Sequence, residues 1–327
     1  MTMTPNVLYL TDLARLHIHA AEAEAVTWGG RPALRLVNGL VIFPDLDLAD
    51  ATFEVRIAAE GSAYPGIAFR IADRANYELG YAQPHTSGQW DAIQYDPVFH
   101  GSNTWQVYHG PAFQKRATVP TGAWFTLRVD VQGERAAFTV DGQPPLIVDH
   151  LAQTPRAGLV GLWTYLPAFF SDFRAAPCAS FPAGAAEPAD PPAGAVDAWF
   201  LEGFGRVACE PHGILNLNRY VPLALGEAHL TRRFEILREG AVEIAFGFSD
   251  DLTFRVDDDV VFQGQQTFSG MQDYAGRGYI EPDAHILRHA LPPGLHTLSA
   301  ALKTTEGFGW GLSLSLRGGR VRLLPVL

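Results

Sequence analysis

Apolar and polar residues alternate along several short runs in the first half of the chain. These runs are Thr52–Ile57, Gly66–Ile71, Tyr77–Tyr81, Phe125–Val131 and Ala137–Val140. Residues of the types Asp, Asn, Gly and Pro separate them, and a period of two places every second side chain on the same face of a strand. The pattern therefore predicts antiparallel β-strands with one buried face each.

Two short sequences predict tight turns between such strands. Val140 to Gln143 contains an Asp-Gly pair and Val37 to Leu40 contains an Asn-Gly pair. Asp, Asn and Gly tolerate the positive φ angles that two-residue hairpin turns require. We therefore expect a hairpin turn at each place.

A third turn, at Asp73 to Ala75, is expected to join the second and third runs. The alternation would then make Arg70 and Glu78 cross-strand neighbours on the face away from the core. Two interpretations are open: a solvated surface ion pair, or a charged pair that lines a groove. The same choice applies to Trp163 and Asp172, which lie in later predicted strands.

The second half repeats the β pattern after a segment of different composition. Its apolar runs are Ala241–Phe248, Leu252–Gly264 and Thr297–Lys303, with an acidic hairpin expected at Val256–Val260. Residues 177–195 are rich in Pro, Ala and Gly and have no strand or helix period, which is typical of an extended linker. The prediction is all-β: a β-sandwich over residues 1–176, the linker, and a second β-sandwich over residues 196–327.

Composition narrows the possible partners. The chain has 327 residues and a net charge of −11 without a long basic run, so neither nucleic acid nor an anionic membrane is an expected partner. Its start lacks the pattern of a signal peptide or a membrane span, which leads us to expect a soluble, cytoplasmic protein. Only two cysteines are present, Cys178 and Cys209, and we expect both to be free.

Three segments of the first half resemble a known superfamily. Asp91–Gly110, Gly122–Val148 and Gly158–Arg174 contain the elements W-F-x-L-R-V, V-D-G and S-D-F-R. They resemble the concanavalin A-like, laminin G-type jelly rolls, in particular bacterial domains related to the 3-keto-disaccharide hydrolase group. The resemblance covers roughly residues 20 to 176. It implies a jelly-roll fold, and a superfamily that includes lectins, glycosidases and interaction modules.

The second half resembles the galactose-binding-like jelly rolls that accompany many bacterial carbohydrate-active proteins. The segments that carry this resemblance are Gly247–Gly264 and Tyr279–Leu314. Acidic residues stand at the Val256–Val260 hairpin where such domains usually have Asn-Gly. Trp310, in the run Gly307–Gly311, is expected in the core.

Catalytic motifs are weakly represented in the sequence. Laminarinase-like members of the first superfamily carry two glutamates around an aspartate on one strand, and no such E-x-D-x-x-E run is present. The nearest acids are scattered over different predicted strands and could converge only in three dimensions: Glu78, Asp91, Asp96 and Asp172. Asp250 and Asp251 offer hard oxygen ligands, so they are the candidates for a possible Ca²⁺ site.

Residues 85–110 combine aromatic rings with His, Asp and Gln side chains. Rings can stack on the C–H faces of sugars, and the polar groups can bond hydroxyls. The candidate ligand-binding residues are Arg70, Glu78, His85, Asp91, Gln94, Trp105 and His109. Three hypotheses follow: a protein that recognises a saccharide or glycoside through a groove of the first sandwich, a glycoside hydrolase or lyase with Glu78, Asp91 or His109 as catalytic residue, or a non-catalytic protein-interaction module.

Overall fold

The structure is a computed structural model that describes residues 6–8, 10–153, 157–270, 273–318 and 321–326. Strands and short 3-10 turns make up all regular structure in these residues, which confirms the all-β prediction. The 3-10 turns are Leu13–Arg15, Pro84–Thr86, Leu217–Arg219, Leu223–Leu225 and Ala275–Arg277. Within the described ranges, no helix has the length and apolar character needed to cross a membrane.

Contacts divide the chain into two compact units. The first unit comprises Met1–Gly101 and Tyr108–Pro188, and the second comprises Ser102–Val107 and Ala189–Leu327. The division falls inside the predicted linker, in a stretch without strands or helices from residue 178 to residue 194. The last strand of the first unit reaches Pro177.

In the described part of the first unit, thirteen strands form one sheet. They are β1 Asn6–Leu8, β2 His17–Trp28, β3 Arg31–Leu48, β4 Ala51–Ala58, β5 Gly66–Asp73, β6 Asn76–Ala82, β7 Ile93–Tyr95, β8 Gln114–Lys115, β9 Phe125–Gln132, β10 Arg135–Val140, β11 Leu146–Val148, β12 Gly158–Thr164 and β13 Ala168–Pro177. The strand order is β11-β10-β9-β4-β13-β3-β12-β5-β6-β7-β8, with β1 on β13 and β2 on β3. All five runs predicted for this half are strands.

Strand β3 connects two layers of this sheet because its two ends pair with different partners. Residues Leu34–Leu36 pair with β13, whereas Gly39–Phe43 and Asp47–Leu48 pair with β12. The order on one side of β3 is β13-β4-β9-β10-β11, and on the other side it is β12-β5-β6-β7-β8. Rings from the two sides contact each other between the layers, as Phe69 of β5 and Phe138 of β10 do with centroids 6.2 Å apart. The two layers thus form a sandwich.

The predicted hairpin turn at Val37 to Leu40 is wrong. Asn38 and Gly39 lie inside β3, at the point where the strand passes from one layer to the other. Asn38 takes a φ of 46°, and a Cβ at Gly39 would lie 2.3 Å from the Cα of Ala20. The Asn-Gly pair supplies the conformations and the space that a change of layer needs, rather than a reversal of the chain.

The other two predicted turns of this half are confirmed. Asp141 and Gly142 have φ angles of 46° and 70°, and Gln143 donates its N–H to the carbonyl of Val140 at 2.9 Å. The β5–β6 hairpin closes with Asp73 opposite Asn76. The Asp73 side chain also accepts the N–H of Ala75 at 2.7 Å, a local bond by which Asp favours turns.

The second unit, over the residues that the structure describes, has ten strands in one sheet. They are β14 Ala198–Leu201, β15 Gly205–Ala208, β16 Ile214–Asn216, β17 Glu227–Ile236, β18 Gly240–Val256, β19 Asp259–Gln266, β20 His285–Leu291, β21 Gly294–Lys303, β22 Gly311–Arg317 and β23 Val321–Leu323. Strand β18 also serves two layers: its first part pairs with β20 and β22, and its second part pairs with β19 and β21. Strand β18 contains the predicted run Ala241–Phe248 and the start of the predicted run Leu252–Gly264 in one continuous strand. Trp310 is 1% exposed, as expected of a core residue.

Candidate functional site

One row of side chains crosses the second layer of the first unit. Trp163 of β12 pairs with Gly66, Gly66 with Tyr81, Tyr81 with Gln94, and Gln94 with Gln114. Directly paired residues of antiparallel strands share a face of the sheet. Gly80, the neighbour of Tyr81, faces inward, since a Cβ there would lie 2.1 Å from the Phe138 ring. The row therefore lies on the outer face of the layer.

Aromatic rings form a continuous series at one end of this row. Centroids lie 5.7 Å apart for Trp163 and Tyr81 and 5.9 Å apart for Tyr81 and Tyr64. The Tyr64 ring is also 4.7 Å from the His85 ring and 5.8 Å from the Tyr165 ring. We call these five residues the aromatic face. Tyr165 is 53% exposed and Trp163, Tyr64 and His85 are half-buried, whereas Tyr81 is buried.

Tyr77 and Asp96 extend the outer face along β6 and the loop after β7. Tyr77 alternates with Tyr81, and Asp96 continues the alternation from Gln94, its N–H donating to the Leu79 carbonyl at 2.9 Å. The pKa of the Tyr77 hydroxyl is raised because it is buried and close to Asp96, while a hydrogen bond with Trp163 opposes the shift. A neutral phenol and a carboxyl group thus border the aromatic face.

Gln94 lies in the row, but its amide is engaged with backbone. Its Nε2 donates to the carbonyls of Tyr95 and Tyr108 at 2.7 and 2.8 Å, and its Oε1 accepts from Gln114 at 2.6 Å. Gln114 in turn accepts from the Gly110 N–H at 2.9 Å. These bonds hold the chain after Val107 against the sheet, so Gln94 supports this surface and its donors are occupied.

Arg70 and Glu78 do not lie on the outer face, and the prediction that they do is wrong. Glu78 pairs with Phe69, which faces the sandwich interior, and the two charged side chains are 2% and 0% exposed. The register shifts between Phe69 and Asp73, and Arg70 takes a φ of 49°. Such a bulge disrupts simple alternation, so Arg70 is turned inward as well. Neither interpretation of the pair, solvated or groove-lining, holds.

The interior position of Glu78 is fully hydrogen-bonded. Tyr95 donates its hydroxyl to Oε2 and Gln153 donates its N–H to Oε1, both at 2.7 Å. Arg70 donates to the Gly133 carbonyl and lies 3.8 Å from Asp50. Burial lowers the pKa of Arg70, and the charges of Glu78 and Asp50 oppose that shift. Glu78 is therefore part of a buried polar network rather than a group that faces a ligand.

The other candidates of the first unit occupy different settings. His85 belongs to the aromatic face through its contact with Tyr64. Asp91 is buried at 1% exposure in the loop before β7, where its carbonyl accepts from the Gln83 side chain. His109 is half-buried beside Gly110. Asp172 lies on the surface, 2.9 Å from Arg31. A ligand-binding or catalytic role for His85, Asp91 and His109 stays a prediction.

Trp105 belongs to the second unit. Its ring lies 5.3 Å from Phe308, 5.8 Å from Tyr279 and 6.0 Å from Phe268. The next residue, Gln106, donates its side chain to the Arg277 carbonyl at 3.2 Å. Because residues 102–107 lie in the first half of the sequence but in the second unit, no local pattern could have separated Trp105 from Asp91, Gln94 and His109.

The suggested calcium ligands are engaged otherwise or lie apart. Asp250 is 1% exposed and accepts the N–H groups of Thr305 and Glu306 on one oxygen, and the Ser249 hydroxyl, at 2.8 Å, on the other. Asp251 lies in β18 opposite Lys303. In the ranges that the structure describes, no group of three or more His, Cys, Asp or Glu side chains converges as metal ligands do.

Most of the aromatic face was missed by sequence reasoning. Trp163 and His85 are among the residues that the sequence points to, whereas Tyr64, Tyr81 and Tyr165 are not. Tyr81 and Trp163 lie more than 80 residues apart and become neighbours only through pairing with Gly66. The signal present in the sequence is the tyrosine at each end of the predicted strand Tyr77–Tyr81, and only the register of three strands shows that Tyr81 lies beside Trp163.

The chain was compared with family models, curated proteins and solved structures. No family model and no curated protein matches it. Solved structures similar to it include the carbohydrate binding module CBM66 from Bacillus subtilis, with 14% identity over 50% of this chain and 95% of that one and a TM-score of 0.39. A protein of unknown function with a galectin-like fold, also from Bacillus subtilis, has 9% identity over 54% and 96% and a TM-score of 0.38. The Bacillus licheniformis beta-glucanase has 12% identity over 54% and 99% and a TM-score of 0.35. Such distant likenesses do not indicate what this chain binds.

Proposed function

We propose that the first unit binds a saccharide on its outer face, with the aromatic face as the stacking surface. The observation that carries this proposal is the ring series itself, in which each centroid lies within 5.9 Å of the next. A large ring with one open face gains free energy by covering a flat apolar partner, and a pyranose ring offers such a surface. Tyr165 and Trp163 have the exposure that stacking needs.

Polar groups beside the rings suit the same ligand class. Tyr165 and Tyr64 each carry a phenol hydroxyl, and their rings lie 5.8 Å apart in the aromatic face. A few directed donors and acceptors around an apolar floor are typical of small-molecule sites, and sugar hydroxyls match both roles. The net charge of −11 disfavours anionic ligands, so neutral oligosaccharides are the class we propose.

The positions of the acidic side chains favour saccharide recognition without cleavage. Glycosidases position two carboxyl groups about 5 to 9.5 Å apart across the scissile bond. Glu78, the first catalytic candidate, is enclosed between the layers with both oxygens bonded to Tyr95 and Gln153. A group there cannot donate a proton to a sugar on the outer face. Asp96 is the acid that alternation places on that face.

The test compares two variants of the aromatic face with one control variant by titration calorimetry. Cellotetraose, laminaritetraose, xylotetraose and galactotetraose serve as probes. Tyr165→Ala and Trp163→Ala should each weaken binding of the probe that binds wild type by about 1–3 kcal/mol, as truncated aromatic anchors do. Phe204→Ala, which removes an aromatic ring of the second unit that is also 53% exposed, is the control and should bind normally. Wild-type affinity of both Tyr165→Ala and Trp163→Ala for the probe would refute the proposal.

A further inference from the structure

The turn that carries Tyr165 has an unusual backbone. Strand β12 ends at Thr164 and β13 begins at Ala168, and between them Leu166 takes a φ of 69°. A bulky residue at positive φ is an outlier because its side chain crowds the backbone. Leu166 also precedes Pro167, and a residue before proline favours an extended backbone. The conformation persists only because neighbouring groups impose it.

Three hydrogen bonds impose this conformation. The Leu166 N–H donates to Oδ1 of Asn38 at 2.7 Å, and the Thr164 hydroxyl donates to the Leu166 carbonyl at 2.9 Å. The Tyr165 carbonyl accepts the N–H of Tyr64 at 3.1 Å. Asn38 itself takes a φ of 46° in the middle of β3. Two residues at positive φ thus meet through one hydrogen bond, next to the most exposed ring of the aromatic face.

We infer that Asn38 and Leu166 are positioning residues for Tyr165. Strained backbone collects at functional sites, where the strain is retained because it fixes a group in place. Here the fixed group is a ring that remains 53% exposed yet keeps its contact with Tyr64 at 5.8 Å. A ring held in its binding orientation loses less conformational freedom when a ligand covers it. This inference rests on the saccharide site proposed above.

The inference predicts a difference between two substitutions at each position. Asn38→Gly keeps the positive φ but removes the acceptor for Leu166, whereas Asn38→Asp keeps both. Leu166→Gly relieves the strain and frees the turn, whereas Leu166→Asn keeps a residue type that tolerates positive φ. The two glycine variants should bind about three- to tenfold more weakly, as expected when one more side chain must be immobilised on binding. The Asp and Asn variants should bind like wild type.

Thermal unfolding of the same variants separates positioning from stability. Leu166→Gly should melt no lower than wild type while binding more weakly, because relief of strain offsets the added freedom of the unfolded chain. A purely structural role would change melting and leave the affinity of the folded protein for the tetrasaccharide probes unchanged.

The possible outcomes distinguish failure of the positioning inference from failure of the saccharide site. Normal binding by Asn38→Gly and Leu166→Gly, with binding lost in Tyr165→Ala, overturns the positioning inference and leaves the saccharide site standing. Normal binding by Tyr165→Ala and Trp163→Ala, or no binding of any probe by wild type, overturns the saccharide site and the inference with it. Weaker binding by Asn38→Gly and Leu166→Gly, with wild-type binding by Asn38→Asp and Leu166→Asn, supports the inference when Leu166→Gly melts normally.

Discussion

The two units share an architectural device but differ in the faces that it builds. In each unit one long strand, β3 of 18 residues or β18 of 17 residues, serves both layers of a sandwich. The outer row of the first unit carries Trp163 and Tyr81. In the second unit, a row of directly paired residues on neighbouring strands is polar instead. In pairing order, it consists of Glu227, Lys303, Asp251 and Gln265. Similar scaffolds thus present opposite chemistry, and function must be argued from the side chains.

The polar row of the second unit has the features of a solvated sheet face. Lys303 lies 3.7 Å from Glu227 and both are substantially exposed, while Gln263 donates to the Thr253 hydroxyl at 3.2 Å one row away. Antiparallel sheets commonly have one core face and one water face. The aromatic face of the first unit departs from that norm, which is why we assign the site to it.

The largest effect is expected on the stability of the first unit, when the buried acid Glu78 is replaced. Glu78→Ala removes the partner of the Tyr95 hydroxyl and the Gln153 N–H and leaves the Arg70 charge buried without it. Breaking a buried charged network in this way costs about 3–5 kcal/mol of unfolding free energy. Urea unfolding would measure the loss. A Glu78→Ala protein as stable as wild type would show that the first unit does not depend on this network.

The second unit should show a pH dependence of intermediate size through His296. Its Nδ1 lies 2.9 Å from an Asp257 oxygen and its Nε2 lies 2.9 Å from the Pro292 carbonyl. Two acceptors require two N–H donors, so the ring is held as imidazolium. Burial alone would lower the pKa of His296, but the bonds to Asp257 and Pro292 raise it above 6.5. The stabilisation is complete below pH 6.5 and is lost as the pH rises through the raised pKa.

The partner carboxylate titrates in a separate window. Burial alone would raise the pKa of Asp257, but its bonds with His296 and Thr297 lower it below 3.8. Its contribution is present above pH 3.8 and is lost as the pH falls through the lowered pKa.

Melting of wild type and His296→Asn between pH 5.5 and pH 8 tests the histidine alone. The gap between the two proteins should narrow as pH rises, and a gap independent of pH would exclude the charged form.

The smallest effect is expected on the polar row. Glu227→Gln and Lys303→Met alter an exposed pair, and exposed ion pairs contribute about 0–1 kcal/mol. Each substitution should change the free energy of unfolding by less than about 0.5 kcal/mol. Neither should change the affinity for the tetrasaccharide probes. Loss of saccharide binding by either variant would move the site to the second unit and reverse the comparison.

Local sequence patterns predicted strands and turns where the determinants are local. The β5–β6 hairpin follows from alternation and from Asp73, whose side chain accepts the Ala75 N–H. The turn at Asp141 follows from residues that tolerate positive φ. The same rules failed at Asn38, where the positive φ serves a change of layer, and at Arg70, where a bulge reverses the face. Alternation assumes regular pairing, and nothing near Arg70 in sequence signals the bulge.

The candidate site was less predictable because long-range register builds it. Trp163 and Tyr81 meet only because β12 and β6 both pair with β5. Trp105 shows the opposite case, since closeness in sequence to Asp91 and Gln94 did not place it in the same unit. Clusters along the chain are poor evidence for clusters in space when strands pair across more than 80 residues.

The most direct test of the saccharide face is a titration followed by NMR at the tryptophan indoles. The chain has seven tryptophans, so seven indole N–H signals are expected, and Trp163→Phe assigns one of them. Addition of the tetrasaccharide that binds wild type should shift the Trp163 signal, whereas the signals of the buried Trp199 and Trp310 should stay in place. A bound saccharide that leaves the Trp163 signal unmoved and shifts an indole of the second unit instead would contradict the account.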